Sequence, residues 1–391
     1  LRAFAERTGI PVSATQAGVG VLDWDHPQNL GGVGATGTAA ANRIARDADL
    51  VIGIGTRYSD FTTGSRTAFQ HPGVRFLNIN VASFDAHKHG SQLALVADAR
   101  EAILALDDAL SDHRVSAAHA ERIATEKRAW DGVVDAAFVA TGDALPSQTE
   151  IIGAVNESLA PQDVIVQAAG SLPGDLHKLW RVRDALGYHV EYAYSCMGYE
   201  IAGGLGAKRG LDADGDDRDV VVMVGDGSYL MLSSELATVV AEGIKLIVIL
   251  VQNDGYASIG HLSETVGSGR FGTKYRAYDP QARNFQEGGV LPVDLAMNAR
   301  SYGIDVIDLA PGASVIDDLR AAIAQAKASE RATFIQIHSD PLKYSPDGEG
   351  WWDVPVAAVA ELPSTILART EYEQRVQVQR PLVGTIEEER A

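Results

Sequence analysis

Apolar and polar residues follow two rhythms along this chain. Near-continuous apolar runs, "IPVSAT" (10–15), "ADLVIGIG" (48–55) and "VRFLNIN" (74–80), read as buried strands. Between them, "TAAANRIARD" (38–47) has helical spacing and begins near Thr36. The order returns later with "DVIVQAAG" (163–170), "DVVVMVGDG" (219–227), "KLIVILVQND" (245–254), "IDVIDL" (304–309) and "TFIQIHSD" (333–340). Runs apolar on both faces, alternating with helix-length segments, predict an α/β protein with two doubly wound parallel-sheet domains. The expected boundaries are 1–115, a charged amphipathic helix as linker within 116–144, a second domain over 145–345, and a polar, Trp-bearing extension over 346–391. No repeat or low-complexity tract interrupts them.

Composition narrows the function classes. The 391 residues are 46% hydrophobic and 22% charged, ordinary for a chain with a real core. Lys plus Arg number 33 against 52 Asp plus Glu, a formal charge of −19, which argues against nucleic acid or an anionic membrane as partner. A small anionic cofactor stays possible, because one metal ion and a few backbone N–H groups reverse the sign locally. Cys196 is the single cysteine, so no intrachain disulfide and no cysteine-based zinc site forms, and a reducing, cytoplasmic setting fits. The apolar run Leu246–Val251 is too short to cross a bilayer. The chain starts at Leu1 inside an apparent helix with no signal-peptide core, as expected of the C-terminal part of a longer protein.

The chemistry concentrates in "VGDGSYLMLSSELATVVAEGIKLIVILVQNDGY" (224–256). Strand Val220–Val224, a helix near Leu232–Glu242 and strand Leu246–Val251 read as one right-handed βαβ unit. Both strands then end at the same edge, where open α/β sheets bind ligands. Asp226 and Asn253, 27 positions apart, become neighbours with oxygens suited to Mg²⁺. The Gly255 carbonyl is a candidate third ligand. Gly225 and Gly227 allow close approach of an anion, and Gly227, Ser228 and the following helix offer N–H donors. Taken singly, each motif is more often an ordinary turn; their matched positions across one crossover make the metal the stronger reading.

"GDGS" followed by "NDG" resembles the cofactor fingerprint of the thiamine-diphosphate enzymes, the superfamily of acetolactate synthase and pyruvate decarboxylase. The resemblance implies a central Rossmann-like domain followed by a thiamine-diphosphate-binding domain. It also implies Mg²⁺ on Asp226, Asn253 and the Gly255 carbonyl, with Gly225, Gly227 and Ser228 at the diphosphate. "YSCMGYEIAGGLGAK" (194–208) matches the family segment that bends the cofactor: Met197 would be the apolar prop and the Ser195 carbonyl the acceptor for the amino group. Gly170 and Ser171 stand where the family sends a loop to the diphosphate, and Ile259 is a further cofactor contact. The pyrimidine domain and its glutamate have no counterpart here, so no catalytic residue is assigned, and these residues alone are not expected to turn over. "AGSLPGDLHKLW", "GYASIGHLSETVGSGRFGTKYR" and "WWDVPVAAV" resemble the branch that hydrolyses a C–C bond of a cyclic, polyol-derived 1,2-dione in inositol catabolism. An acetolactate synthase, a 2-oxoacid decarboxylase and a non-catalytic cofactor-binding subunit remain alternatives. A homodimer or homotetramer is implied by the family.

Other signals weigh less. His177, His261, Lys274 and Arg276 lie in segments expected at the ligand edge and are candidate substrate contacts, against the blander readings of satisfied histidines and ion pairs. "GVGATG" (32–37) has nucleotide-loop spacing, but "DHPQNLG" before it reads as a loop rather than a strand. "DADGDDRD" (212–219) misses the calcium-loop Gly and Glu positions. Cys196 is expected to pack beside Met197, and "GSG" (267–269) to form a mobile loop over the site.

Overall fold

Every apolar run named above becomes a strand in the computed structural model, which describes residues 1–383 apart from 193 and 286. The chain divides into two compact units. The first comprises Leu1–Val133, Asp347–Pro355 and the residues from Arg369 onward; the second comprises Val134–Pro346 and Val356–Ala368.

In the first unit, β1 (Val12–Ala14) pairs in parallel with β2 (Asn29–Gly32). A separate parallel sheet runs β3 (Leu50–Ile54), β4 (Arg75–Asn80), β5 (Leu93–Val96). The strand β2 corrects the expectation of a loop before "GVGATG". There the chain fills the glycine loop itself. Asn42, on the helix Ala39–Arg46, accepts from the Gly34 N–H at 2.8 Å and donates to the Gly34 carbonyl at 2.9 Å and the Gly348 carbonyl at 2.7 Å. A Cβ on Gly34 would lie 1.9 Å from the Phe61 carbonyl, so glycine serves packing here, at a φ of 100°.

The second unit holds one six-stranded parallel sheet. Its strands are β6 (Val164–Gln167), β7 (Tyr188–Val190), β8 (Val220–Gly225), β9 (Ile247–Gln252), β10 (Asp305–Asp308) and β11 (Thr333–His338), in the order β10-β11-β9-β8-β6-β7. β6, β8, β9 and β11 are buried nearly throughout, which is why they were legible as unbroken apolar runs. The helix Gln148–Ser158 starts on a reciprocal cap between Ser147 and Glu150. The helix Ala117–Phe138, expected as a linker, buries a stripe of Ile123, Trp130, Val134 and Phe138.

Charges bind the entry ends of the central strands. Asp219, just before β8, meets Lys245 at 2.8 Å and Lys327 at 3.0 Å, and Lys327 also pairs with the buried Asp163 before β6. Burial alone would raise the Asp219 pKa; the two ammonium groups outweigh it and hold the carboxyl below its usual range. Among the described residues no helix is long and apolar enough to cross a membrane.

His89 is a buried ionisable ring of the first unit. It stacks on Phe76 (centroids 5.1 Å apart), meets Tyr58 edge-on at 4.9 Å, and has no hydrogen-bond partner on either ring nitrogen among the described residues. Burial, with Arg380, Lys88 and Arg66 nearby, lowers its pKa to about 4. The folded state therefore holds neutral imidazole while the unfolded chain takes up a proton below its ordinary pKa of about 6.5. Stability from this site is complete above that value and falls as pH drops toward the folded pKa. Urea unfolding at pH 7 and pH 4.5 is expected to show about 2 kcal/mol more acid loss in the wild type than in His89→Phe; equal losses would rule out the buried ring as the source.

Candidate active site

β8 and β9 pair in parallel with Gly225 opposite Val251, so both chains leave the sheet at one edge. Immediately beyond, Asp226 opens the short helix Asp226–Met231 with its side chain 1% exposed. Its Oδ2 accepts from the N–H groups of Asn253 at 3.0 Å and Gly255 at 3.3 Å, and its Oδ1 accepts from the Gly227 N–H at 2.8 Å. Burial pushes the Asp226 carboxyl up to about 6, against the pull of those backbone donors. The helix expected near 232–242 spans Glu235–Ala241, and a further short helix, Asp226–Met231, precedes it and ends at Leu232, whose φ is −156° and ψ 73°. Gly227 and Ser228 thus lie inside a first helical turn rather than ahead of one.

Asn253 Oδ1 is buried beside this carboxylate without a hydrogen-bond partner. Asp254 turns the chain at a φ of 58°, and the segment after Thr273 runs back along it. The bonds Tyr256 N–H to Thr273 O (2.8 Å) and Tyr275 N–H to Asp254 O (3.0 Å) flank Gly255 and leave its own carbonyl out of the pairing. A Cβ on Gly227 would fall 2.8 Å from the Tyr256 ring, so the bare backbone is needed for these loops to close. The Tyr275 hydroxyl, buried beside Gly227 and Asp226, was not anticipated. Among the described residues no group of three His, Cys, Asp or Glu side chains assembles for a metal. Any cation here would rest on one carboxylate, an amide oxygen and a carbonyl.

A second polar knot lies under the first. Ser228 Oγ donates to both oxygens of Glu200 at 2.7 Å and accepts from the Gly198 N–H at 2.8 Å. Its hydroxyl is therefore turned inward, away from the role expected for it. Glu200 is 1% exposed, and burial raises its pKa. It was missed because an acid in "MGYEIAGG" reads as a solvated residue. The signal was positional: Glu200, Gly204 and Lys208 fall on the buried stripe of the helix Tyr199–Ala213.

The remaining candidates scatter around this edge. Gly170 (φ 83°) and Ser171 begin the loop after β6, and Ser171 Oγ donates to Gln148 at 3.0 Å. Ser195 takes a φ of 50°, Met197 is 40% exposed, and Ile259 is 54% exposed. Cys196 is exposed rather than packed, which corrects that expectation; partial desolvation and Glu191 raise its thiol pKa, which disfavours the thiolate. His177 is buried on the helix Leu172–Leu179. His261 lies 3.9 Å from the Tyr344 ring, with Nδ1 buried and unpartnered and its pKa lowered by burial. Lys274 is exposed, Arg276 partly so, and neither makes an ion pair among the described residues. The Gly267 carbonyl, expected in a mobile loop, accepts from Ser364 at 2.7 Å and Thr365 at 2.9 Å.

Gly198 joins the two knots at a φ of 95°, and a Cβ there would meet Leu232 Cβ at 2.9 Å. Gly198→Ala is expected to cost about 1–3 kcal/mol of unfolding free energy in urea titration; an unchanged midpoint would contradict the strain assigned to this position.

Two family models match the chain. Residues 168–337 match the thiamine pyrophosphate enzyme C-terminal TPP-binding domain, and residues 1–106 match the thiamine pyrophosphate enzyme central domain. Among curated proteins, the chain is 40% identical over 400 aligned residues to 3D-(3,5/4)-trihydroxycyclohexane-1,2-dione hydrolases of Bacillus cereus (strain AH820), Bacillus anthracis and Bacillus thuringiensis (strain Al Hakam). Each alignment covers 96% of this chain, which spans 60% of the relative's length. With a central domain followed by a C-terminal TPP-binding domain, the chain belongs to the thiamine pyrophosphate enzymes.

Proposed function

We propose that this chain carries the diphosphate and Mg²⁺ site of a thiamine-diphosphate-dependent C–C hydrolase that opens trihydroxycyclohexane-1,2-dione to 5-deoxyglucuronate in inositol catabolism. The observation that carries the cofactor part is the buried pair at the ends of β8 and β9: a carboxylate held only by backbone N–H groups, beside an amide oxygen with no partner. A buried acceptor left unmade is costly, and an oxygen-seeking cation satisfies both groups at once. Asp226, Asn253 and the Gly255 carbonyl would hold Mg²⁺. Gly225, Gly227 and the main chain of Ser228, with Gly170 and Ser171 opposite, would hold the diphosphate. When bound, thiamine diphosphate supplies the electron sink for breaking a bond next to a carbonyl.

The chain's own groups have separate tasks. Exposed Met197 and Ile259 would wedge the cofactor from the sheet edge, with the Ser195 carbonyl fixing its amino group. The His261 ring, neutral and with one nitrogen unpartnered, suits proton transfer or hydrogen bonding to a polyhydroxylated ring. Lys274 and Arg276, which make no ion pair among the described residues, would take substrate oxygens, and His177 would back the helix Leu172–Leu179. The choice of a cyclic dione is supported by the activity for which the Bacillus relatives are named. A cytoplasmic homo-oligomer is the assembly proposed.

Calorimetric titration of the full-length protein tests this. Thiamine diphosphate is expected to bind only with Mg²⁺ present, and Asp226→Ala to weaken it at least about 100-fold, some 2.7 kcal/mol. The cyclic dione is expected to turn over and pyruvate not. Pyruvate turnover would move the protein to the synthase or decarboxylase branch, and absence of binding by the folded full-length protein would end the cofactor assignment.

A further inference from the structure

Glu200, like Asp226, is buried without an ion-pair partner among the described residues. Asp163 and Asp219 have lysines; Glu200 has only hydrogen-bond donors. Its Oε1 accepts from the Ala169 N–H at 3.1 Å and its Oε2 from the Gly198 N–H at 3.1 Å, while the Ser228 hydroxyl sits 2.7 Å from both. These donors come from three different chain segments. Ala169 precedes Gly170 and Ser171, Gly198 follows Met197, and Ser228 lies two residues after Asp226. One carboxylate therefore sets the spacing of the three loops that border the proposed cofactor site. Its place in the first turn of the helix Tyr199–Ala213 favours the negative charge.

We propose that Glu200 is a positioning residue for the diphosphate clamp, and that the position requires an ionised carboxylate rather than any polar side chain of its size. The inference rests on the reading of this edge as a thiamine-diphosphate site. Its chemical basis is donor and acceptor count. An ionised carboxylate only accepts, on two oxygens, and here both oxygens face main-chain N–H groups. Glutamine matches the shape but replaces one oxygen with an NH₂ group. That NH₂ must then face either Ala169 N–H or Gly198 N–H, donor against donor, and one loop is released. Ser228 contributes through this contact as well. Its proton is committed to Glu200, so its hydroxyl fixes the turn rather than reaching for a ligand.

The full-length protein and its Glu200→Gln variant would be compared by hydrogen exchange without ligand and by calorimetric titration with thiamine diphosphate and Mg²⁺. Glu200→Gln is expected to keep the wild-type unfolding midpoint and the protection of β8 and β9. It should lose protection around 168–171 or 196–199 and bind at least ten-fold more weakly. Ser228→Ala should weaken binding in the same direction, and the double variant no further than Glu200→Gln alone, since both act through one contact. If Glu200→Gln fails to fold, Ser228→Ala carries the same two readouts with the charge retained. Wild-type protection of both loops, or wild-type affinity, in a folded variant overturns the positioning role while leaving the cofactor reading intact. Loss of loop protection in a protein whose wild type binds no thiamine diphosphate overturns the cofactor reading and this inference with it.

Discussion

The parallel pairing of β8 with β9 is the constraint on which the site depends. It brings two chain exits 27 residues apart to one edge, and the Asp226 carboxylate then ties them by accepting the N–H groups of Asn253 and Gly255. A parallel pair has no hairpin to fix its ends, so the stitch has to come from a side chain. An aspartate at the first residue past the strand is short enough to do this without leaving the backbone. Asn253 spends its main-chain N–H on Asp226, while its buried side-chain oxygen finds no hydrogen-bond partner among the described residues.

The two ends of this sheet handle charge by opposite means. At the entry ends of the strands, Asp163 and Asp219 are matched by Lys245 and Lys327, giving a compact network of both signs. At the exit ends, Asp226 and Glu200 are buried with backbone and hydroxyl donors alone. Ion pairs neutralise; amide donors only solvate, leaving net negative charge in place. The entry end is thus electrically closed, whereas the exit end keeps a charge that a cation can still answer. In a chain of net charge −19, that local difference matters more than the global sign.

Legibility in the sequence followed burial. β6, β8, β9 and β11 could be read because both faces are covered and the runs stay apolar. β2, β5 and β7 could not: "NLGG" offers one large apolar side chain, "LALV" has exposed residues at both ends, and "YHV" is three residues long. The Asp226 and Asn253 motifs were visible because strand ends and crossover length are sequence properties. Glu200 was legible only through its place four and eight residues before Gly204 and Lys208 on one helix stripe, and the inward turn of Ser228 depends on a rotamer that spacing does not record. Likewise, the self-filled glycine loop near Gly34 needs Gly348, more than three hundred residues away, to be understood.

That last contact has a consequence for the order of assembly. The first unit is not finished by its own first 133 residues: Asp347–Pro355 and the segment at Gln379 and Arg380, which binds Arg66, belong to it as well. During synthesis from the N-terminus, Asn42 and Arg66 must wait for partners translated only after the last strand of the six-stranded sheet. The earlier-made unit is therefore completed by residues made last.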